Sequence, residues 1–255
     1  MNAPPVALLD ARYRVGAVIA RGGMSTVYRG VDTRLDRPVA VKIMDSRLAA
    51  DPTFRMRFER EARAAARIDH PAVVDVHDQG EAAGVDGPVM FLVMELVEGG
   101  TLRDVLRARG AIGVPAAFAV LAPVLAGLAE AHRLGLVHRD VKPENVLISG
   151  AGEVKVADFG LATAAAQAGT SHAGMIMGTP AYLSPEQVQT GAADARSDVY
   201  AAGLLLYEML VGQPPYTGDT AISVAYRHVN CDVPDPSEIA GEVPPELDEL
   251  VARAT

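Results

Sequence analysis

The sequence predicts an α+β fold in which a small β-rich lobe is followed by a larger, mainly helical one. Short β-branched runs separated by Gly, Pro and Asp fill the stretch from Tyr13 to Leu96, whereas beyond Gly99-Gly100 the apolar residues recur at helical spacing. The 255 residues, 49% hydrophobic and 22% charged, suffice to bury a core of that size. Aromatics are only 5% and Trp is missing, so Val, Leu, Ile, Met and Ala must build that core.

Tyr13-Arg-Val-Gly-Ala-Val-Ile-Ala20, Ser25-Thr-Val-Tyr-Arg-Gly-Val-Asp32, Pro38-Val-Ala-Val-Lys-Ile-Met44, Val73-Val-Asp-Val-His-Asp78 and Val89-Met-Phe-Leu-Val-Met-Glu95 read as the strands of one five-stranded antiparallel sheet. One helix interrupts them: Asp51 can cap it, Pro52 suits a first helical position, and Phe54, Phe58, Ala62, Ala65 and Ile68 form an apolar stripe. After Gly99-Gly100, helices are expected at Thr101 to Arg109, Pro115 to Leu134 and Ala195 to Val211, which divides the chain into lobes at 1–97 and 98–255. Between the last two lies a stretch of turn and loop, Val137 to Pro185, with short β runs at Val146-Leu-Ile148 and Val154-Lys-Val156. Long irregular segments inside a compact domain are usually functional.

Composition removes several functions. A formal charge of −9 with no basic run argues against nucleic acid as a partner. The single Cys231 excludes intramolecular disulfides and Cys-rich metal sites and fits a reducing compartment. The six histidines show no zinc-ligand spacing. No uncharged apolar run reaches 18 residues; the richest, Val114 to Leu128, holds Pro115 and Pro123. No membrane contact is therefore expected from these residues, though an anchor could lie beyond residue 255 in a longer parent chain.

Ile19-Ala-Arg-Gly-Gly-Met-Ser-Thr-Val-Tyr28 is a turn whose Gly22-Gly23 would let backbone amides approach phosphate oxygens, although an ordinary hairpin turn has the same composition. Lys42 lies on the strand face opposite Val39 and Val41, and a buried ammonium needs an acidic partner, for which Glu61 on the helix stripe is the candidate. A snorkelling lysine and a solvated glutamate are the alternative. Lys42, Lys142 and Lys155 are the only lysines in an otherwise all-Arg basic set, so a compact point charge was kept at two of the proposed phosphate-facing positions. Val137-His-Arg-Asp-Val-Lys-Pro-Glu-Asn-Val-Leu-Ile148 supplies a base, Asp140, a cation, Lys142, and a neutral oxygen ligand, Asn145, within one loop. Asp158-Phe-Gly160 follows, so Asn145 and Asp158 could share a hard divalent cation while Asp140 accepts a hydroxyl proton. His138 reads as structural.

These segments resemble, in order and from Tyr13 to the end, the catalytic domain of eukaryotic-type (Hanks-type) bacterial protein Ser/Thr kinases, including those that carry peptidoglycan-sensing extracellular repeats. Further matching segments are Met94-Glu95-Leu-Val97, Gly178-Thr-Pro180, Ser184-Pro-Glu186 and Asp198. The resemblance implies a bilobal fold and transfer of the γ-phosphoryl group of ATP to protein Ser/Thr hydroxyls, the chain's own included. It implies ATP under Ile19, Ala20, Gly22, Gly23, Met24 and Ser25, with Val27, Ala40 and Leu147 around the purine and Met94 guarding the back pocket. It further implies backbone contacts from Glu95 and Val97, Lys42 on the α/β-phosphates held by Glu61, and Mg²⁺ on Asn145 and Asp158. Lys142 would steady the transferred phosphoryl group, and His138, Phe159, Glu186 and Asp198 would be structural. Protein substrates, a homodimer for trans-autophosphorylation and a cytoplasmic location, as the intracellular part of a receptor in a longer protein, follow from the same likeness. A nucleotide-binding pseudokinase or interaction scaffold is the alternative.

Two departures stand out. The family's first phosphate-loop glycine is Ala20 here and its third is Ser25, and the added methyl at 20 would weaken or reposition ATP. The sequence also stops at Leu250-Val-Ala-Arg-Ala-Thr255, before the family's final helices, so Glu186 is expected to lack its arginine partner and the base of the helical lobe to be poorly stable. The segment Leu161 to Met177, rich in Ala and Gly, carries Thr163, Thr170 and Ser171. Phosphate on Thr170 or Ser171, paired with Arg139, is the expected activating modification.

Overall fold

The computed structural model describes residues 8–84, 87–159 and 180–255. Gly160 and the segment bearing Thr163, Thr170, Ser171, Gly178 and Thr179 lie outside the described residues. Two compact units are present, one holding residues 8–69 and 74–97 and the other 70–73 and 98–255, within those limits.

The first unit is a sheet of β1 (Leu8–Leu9), β2 (Tyr13–Arg21), β3 (Ser25–Asp32), β4 (Arg37–Met44), β5 (Val76–Gly84) and β6 (Gly87–Met94), in the order β1-β2-β3-β4-β6-β5. Each neighbouring pair is antiparallel, and the two-residue β1 adds a strand to the five expected. Alternation sends Val39, Val41 and Ile43 into a cluster with Leu9, Tyr13, Tyr28, Phe91 and Val93, which leaves Ala40 and Lys42 on the opposite face. The fourth long strand starts three residues later than the sequence pattern suggests. Val73 instead bridges Val156, whose N–H donates to the Ala72 carbonyl at 2.8 Å, so His70–Val73 belong to the second unit and the lobe boundary is not a single cut at 97. Tertiary pairing overrides β-propensity there.

Two helices, not one, follow β4. Asp45 caps α1 (Ser46–Ala49), and the Asp51 carboxylate accepts the Thr53 N–H at 2.8 Å to start α2 (Pro52–Ala65). The α2 stripe of Phe54, Phe58, Ala62 and Ala65 is buried, and Glu61 is buried with it. Near the other edge, Asp32 is fully buried and takes both arms of the Arg12 guanidinium (2.9 and 2.6 Å) and the amides of Arg34 and Leu35. The Arg12 hydrogen bond, against the opposing effect of burial, holds the Asp32 carboxyl down at about 2.

In the second unit β7 (Gly99–Thr101), β8 (Val146–Ser149) and β9 (Val154–Val156) form a small antiparallel sheet. A Cβ on Gly99 would lie 2.0 Å from the Ile148 carbonyl oxygen, so only glycine permits that pairing. A capping box between Thr101 and Asp104 opens α3 (Leu102–Arg109). Next comes α4 (Val114–Arg133), long and apolar enough by composition to cross a membrane. Its Ala117, Val120, Leu121, Val124, Leu128 and Ala131 are nevertheless buried, and it packs on β9 and on the long apolar helix α6 (Ala195–Val211). The remaining helices are α5 (Pro185–Thr190), α7 (Ala221–Asn230), α8 (Pro236–Ile239) and α9 (Glu246–Ala254).

Candidate active site

The first unit contributes the glycine turn. Gly22 to Met24 join β2 to β3, closed by the Gly22 N–H on the Ser25 carbonyl (2.9 Å) and tied to α1 by the Asp45 N–H on the Met24 carbonyl (2.9 Å). Ile19 is exposed, and Ala20 pairs with Val27 across the β2–β3 ladder beside two irregularities in register. Ala40 sits opposite Met94 in the β4–β6 ladder, and both are buried. Lys42 and Glu61 are 8% and 7% exposed, and at that depth each charge requires compensation. The Glu95 N–H donates to the Asp75 carbonyl (2.9 Å), so only its carbonyl can serve a ligand; Val97 follows at the end of this unit.

The second unit carries the loop of charged groups. Lys142 Nζ donates to the Asp140 carboxylate at 2.6 Å. Asn145 Nδ2 donates to the Asp140 carbonyl (2.8 Å) and carboxylate (3.1 Å), which turns its Oδ1 away from Asp140. The backbone N–H groups of His138 and Arg139 both donate to the buried Asp198 carboxylate at 2.8 Å, and His132 Nε2 meets it at 2.7 Å. His138 Nδ1 accepts from the Asp140 N–H (3.2 Å), so its Nε2 carries the proton given to the Ala157 carbonyl (2.9 Å). Its ring packs edge-on against Phe159 at 4.6 Å, and the Ala157 N–H returns to the Asn145 carbonyl at 2.9 Å. Asp158 is thereby delivered beside the Asp140 loop. Both Arg139 (φ 71°) and Asp158 (φ 68°) hold left-handed backbone, a cost that such mutual bracing can sustain. Leu147 is half-buried in β8, opposite Lys155.

Glu186, expected to lack an arginine partner, is met instead by a hydroxyl. Burial alone would push its carboxyl upward, but the Ser197 hydroxyl donates to Oε1 and, with its own backbone amide and the Ser184 hydroxyl, brings the carboxyl below its ordinary value. Ser197 lies eleven residues away at the start of α6, a distance no sequence pattern reveals. Gln187 Nε2 donates to the Arg139 carbonyl at 2.9 Å and fastens α5 to the same loop. His132, Gln187 and Ser197 were not singled out by sequence, nor was a cluster formed by Arg103, Glu144, Tyr182 and Glu208. One sign was available: Glu208 is the only charge in the otherwise apolar run from Val199 to Val211.

Among the described residues no three His, Cys, Asp or Glu side chains group as a metal cage. Compared with known proteins, residues 13–253 match the protein kinase domain family. The chain is 61% identical over 249 residues to the serine/threonine-protein kinase PknL of Mycobacterium tuberculosis, covering 98% of this chain and 61% of that protein. It is 47% identical over 248 residues to PknB of Mycolicibacterium smegmatis, covering 96% of this chain and 40% of that one. It therefore spans about three fifths or less of these curated relatives. The crystal structure of the Mycobacterium tuberculosis PknI kinase domain superposes with a TM-score of 0.75 at 27% identity, over 100% of this chain and 91% of that one. Use of ATP and Mg²⁺ is typical of the matched family. By its fold, by the loop around Asp140 and by the match over nearly its whole length, the chain belongs to the protein kinase family.

Proposed function

We propose that the chain transfers the γ-phosphoryl group of ATP to Ser and Thr hydroxyls of proteins, itself included. The observation that carries this is Asp140: its carboxylate is held by Lys142 and Asn145 on a loop whose backbone is clamped by Asp198. A carboxylate so fixed can orient a hydroxyl and take its proton, while Lys142 Nζ, bridging from Asp140, can meet negative charge on a transferred group. Asn145 Oδ1 and the Asp158 carboxylate are hard oxygen donors of the kind Mg²⁺ accepts, and a two-ligand protein site suits an ion that keeps waters and phosphate oxygens. Mg–ATP supplies the phosphoryl group and charge neutralisation. Lys42, with Glu61 as its counter-ion, would serve the α/β-phosphates, the Gly22 to Ser25 turn would lie over them, and the Glu95 carbonyl and Val97 backbone would hold the adenine.

Substituting Asp140→Asn should leave Mg–ATP binding within about twofold and lower phosphate transfer by about a hundredfold or more. Asp158→Ala should instead weaken nucleotide binding only when Mg²⁺ is present. Equal turnover in Asp140→Asn and wild type would defeat the assignment. Binding of nucleotide without transfer by the wild type would favour the scaffold reading that Ala20 suggests. Arg139 is assigned as the cation that receives phosphate on Thr170 or Ser171, supplied between two copies of the chain. The work is placed in the cytoplasm, where ATP is, as the intracellular part of a receptor in a longer protein.

A further inference from the structure

Arg103 is the hub of four elements in the second unit. From α3 its Nε donates to Glu144 (2.8 Å), Nη1 to Glu208 in α6 (2.5 Å), and Nη2 to the Tyr182 hydroxyl (2.8 Å) and again to Glu208 (3.4 Å). Tyr182 also donates to Glu208. The Glu208 side chain is 2% exposed and that of Arg103 16%, so this pair is nearly dry, while Glu144 at 38% meets solvent. Burial alone lowers the Arg103 guanidinium, but Glu208 and Glu144 outweigh it and the net direction is up, so the cation is permanent. Burial, then the Glu208 charge, pushes the Tyr182 phenol upward and keeps it protonated. Such a buried cluster adds little stability over apolar packing, and Glu208 is the only charge in α6 from Val199 onward. What it supplies is position, because a planar fork spreads its donors over three nitrogens in a fixed geometry, whereas an ammonium is a single rotating point.

We propose that Arg103 is a positioning residue for the protein acceptor. Glu144 lies between Lys142 and Asn145, both of which hold Asp140, while Tyr182 ends the Pro180–Tyr182 turn just before Ser184 caps α5. Arg103 therefore sets the separation of the Asp140 loop from the segment 180–184, and Gln187 fastens the same segment a second time through the Arg139 carbonyl. An acceptor chain whose hydroxyl reaches Asp140 must run along the backbone bordering that loop, so its affinity depends on this spacing. Nucleotide affinity does not. The inference rests on the kinase reading of Asp140.

The test compares wild type with Arg103→Lys, which keeps the charge and loses the fork, and Tyr182→Phe, which leaves the Arg103–Glu208 pair intact. Histone protein serves as the acceptor, with Mg–ATP affinity titrated separately. Both variants should raise the KM for histone about tenfold, keep kcat within about threefold and keep Mg–ATP affinity within about twofold. Should Arg103→Lys not fold, Tyr182→Phe decides. Unchanged histone KM, or loss of Mg–ATP affinity in parallel with it, overturns the positioning role while leaving the kinase reading in place. A wild type that binds Mg–ATP yet labels neither histone nor itself overturns both.

Discussion

His228 in α7 is 3% exposed, with Nδ1 2.7 Å from the Tyr200 hydroxyl and its ring edge-on to Tyr216 at 4.9 Å. Burial pushes it down to about 4, against a weaker pull from the Pro180 carbonyl. The unfolded chain binds this proton near the ordinary imidazole value of about 6.5. Between about 6.5 and 4 the unfolded state is therefore the more protonated one, and stability falls as pH falls through that window, by on the order of 3 kcal/mol at its lower end. His228→Gln, neutral throughout, should lose this component. Denaturant midpoints of both proteins at pH 7 and pH 4.5 check it: the wild type should lose more than the variant, and parallel losses would contradict the assignment. The glycine turn, Lys42 and the loop around Asp140 were legible as residues because each chemical type is rare in its surroundings. Gln187 and Arg103, which hold that loop at Arg139 and Glu144, were not, because contacts spanning 48 and 41 residues leave no local pattern.

At the scale of elements, one side chain often serves two. Gln187 Oε1 accepts the Ser184 N–H (3.1 Å), completing the capping box of α5, while its Nε2 donates to the Arg139 carbonyl (2.9 Å). Gln187→Glu keeps the cap and replaces the second donor by an anion facing a carbonyl. The helix should be retained by circular dichroism while phosphate transfer falls about tenfold or more with nucleotide affinity unchanged. Equal transfer would show that the Arg139 contact is idle. The longer helices were marked in the sequence: α6 spans the predicted Ala195–Val211, and α2 buries Phe54, Phe58, Ala62 and Ala65 of its predicted stripe, Ile68 being buried just past its end. The strand expected at Val73 was not, since Val, Val and Val satisfy a strand wherever they pair, and here the first of them pairs with Val156.

Over the whole molecule, each unit has its own buried core, and the second is closed by α9 on α6. At their contact a Cβ on Gly203 would lie 2.8 Å from the Ala254 Cβ and 2.9 Å from Thr255 Cγ2. Gly203→Ala should thus destabilise by about 1–3 kcal/mol through overpacking, against a gain of about 1 kcal/mol in helix propensity. The melting temperature should drop by a few degrees. A rise would show that α9 yields at no cost. Val251, 1% exposed, is the apolar anchor of this contact, whereas Leu250 beside it is 42% exposed.

By itself the sequence determined the class of fold, the order of the lobes, the helix faces and the identity of the residues offered for chemistry, because periodicity, capping and rare residue types act over a few positions. Tertiary structure alone decided that Ser197 meets Glu186, that Arg103 joins α3 to Glu144, Tyr182 and Glu208, and that His70–Val73 leave the first unit for the second. The physical reason is the same in each. Burial makes an unpaired polar group costly, and which group relieves that cost depends on what folding brings within hydrogen-bonding reach.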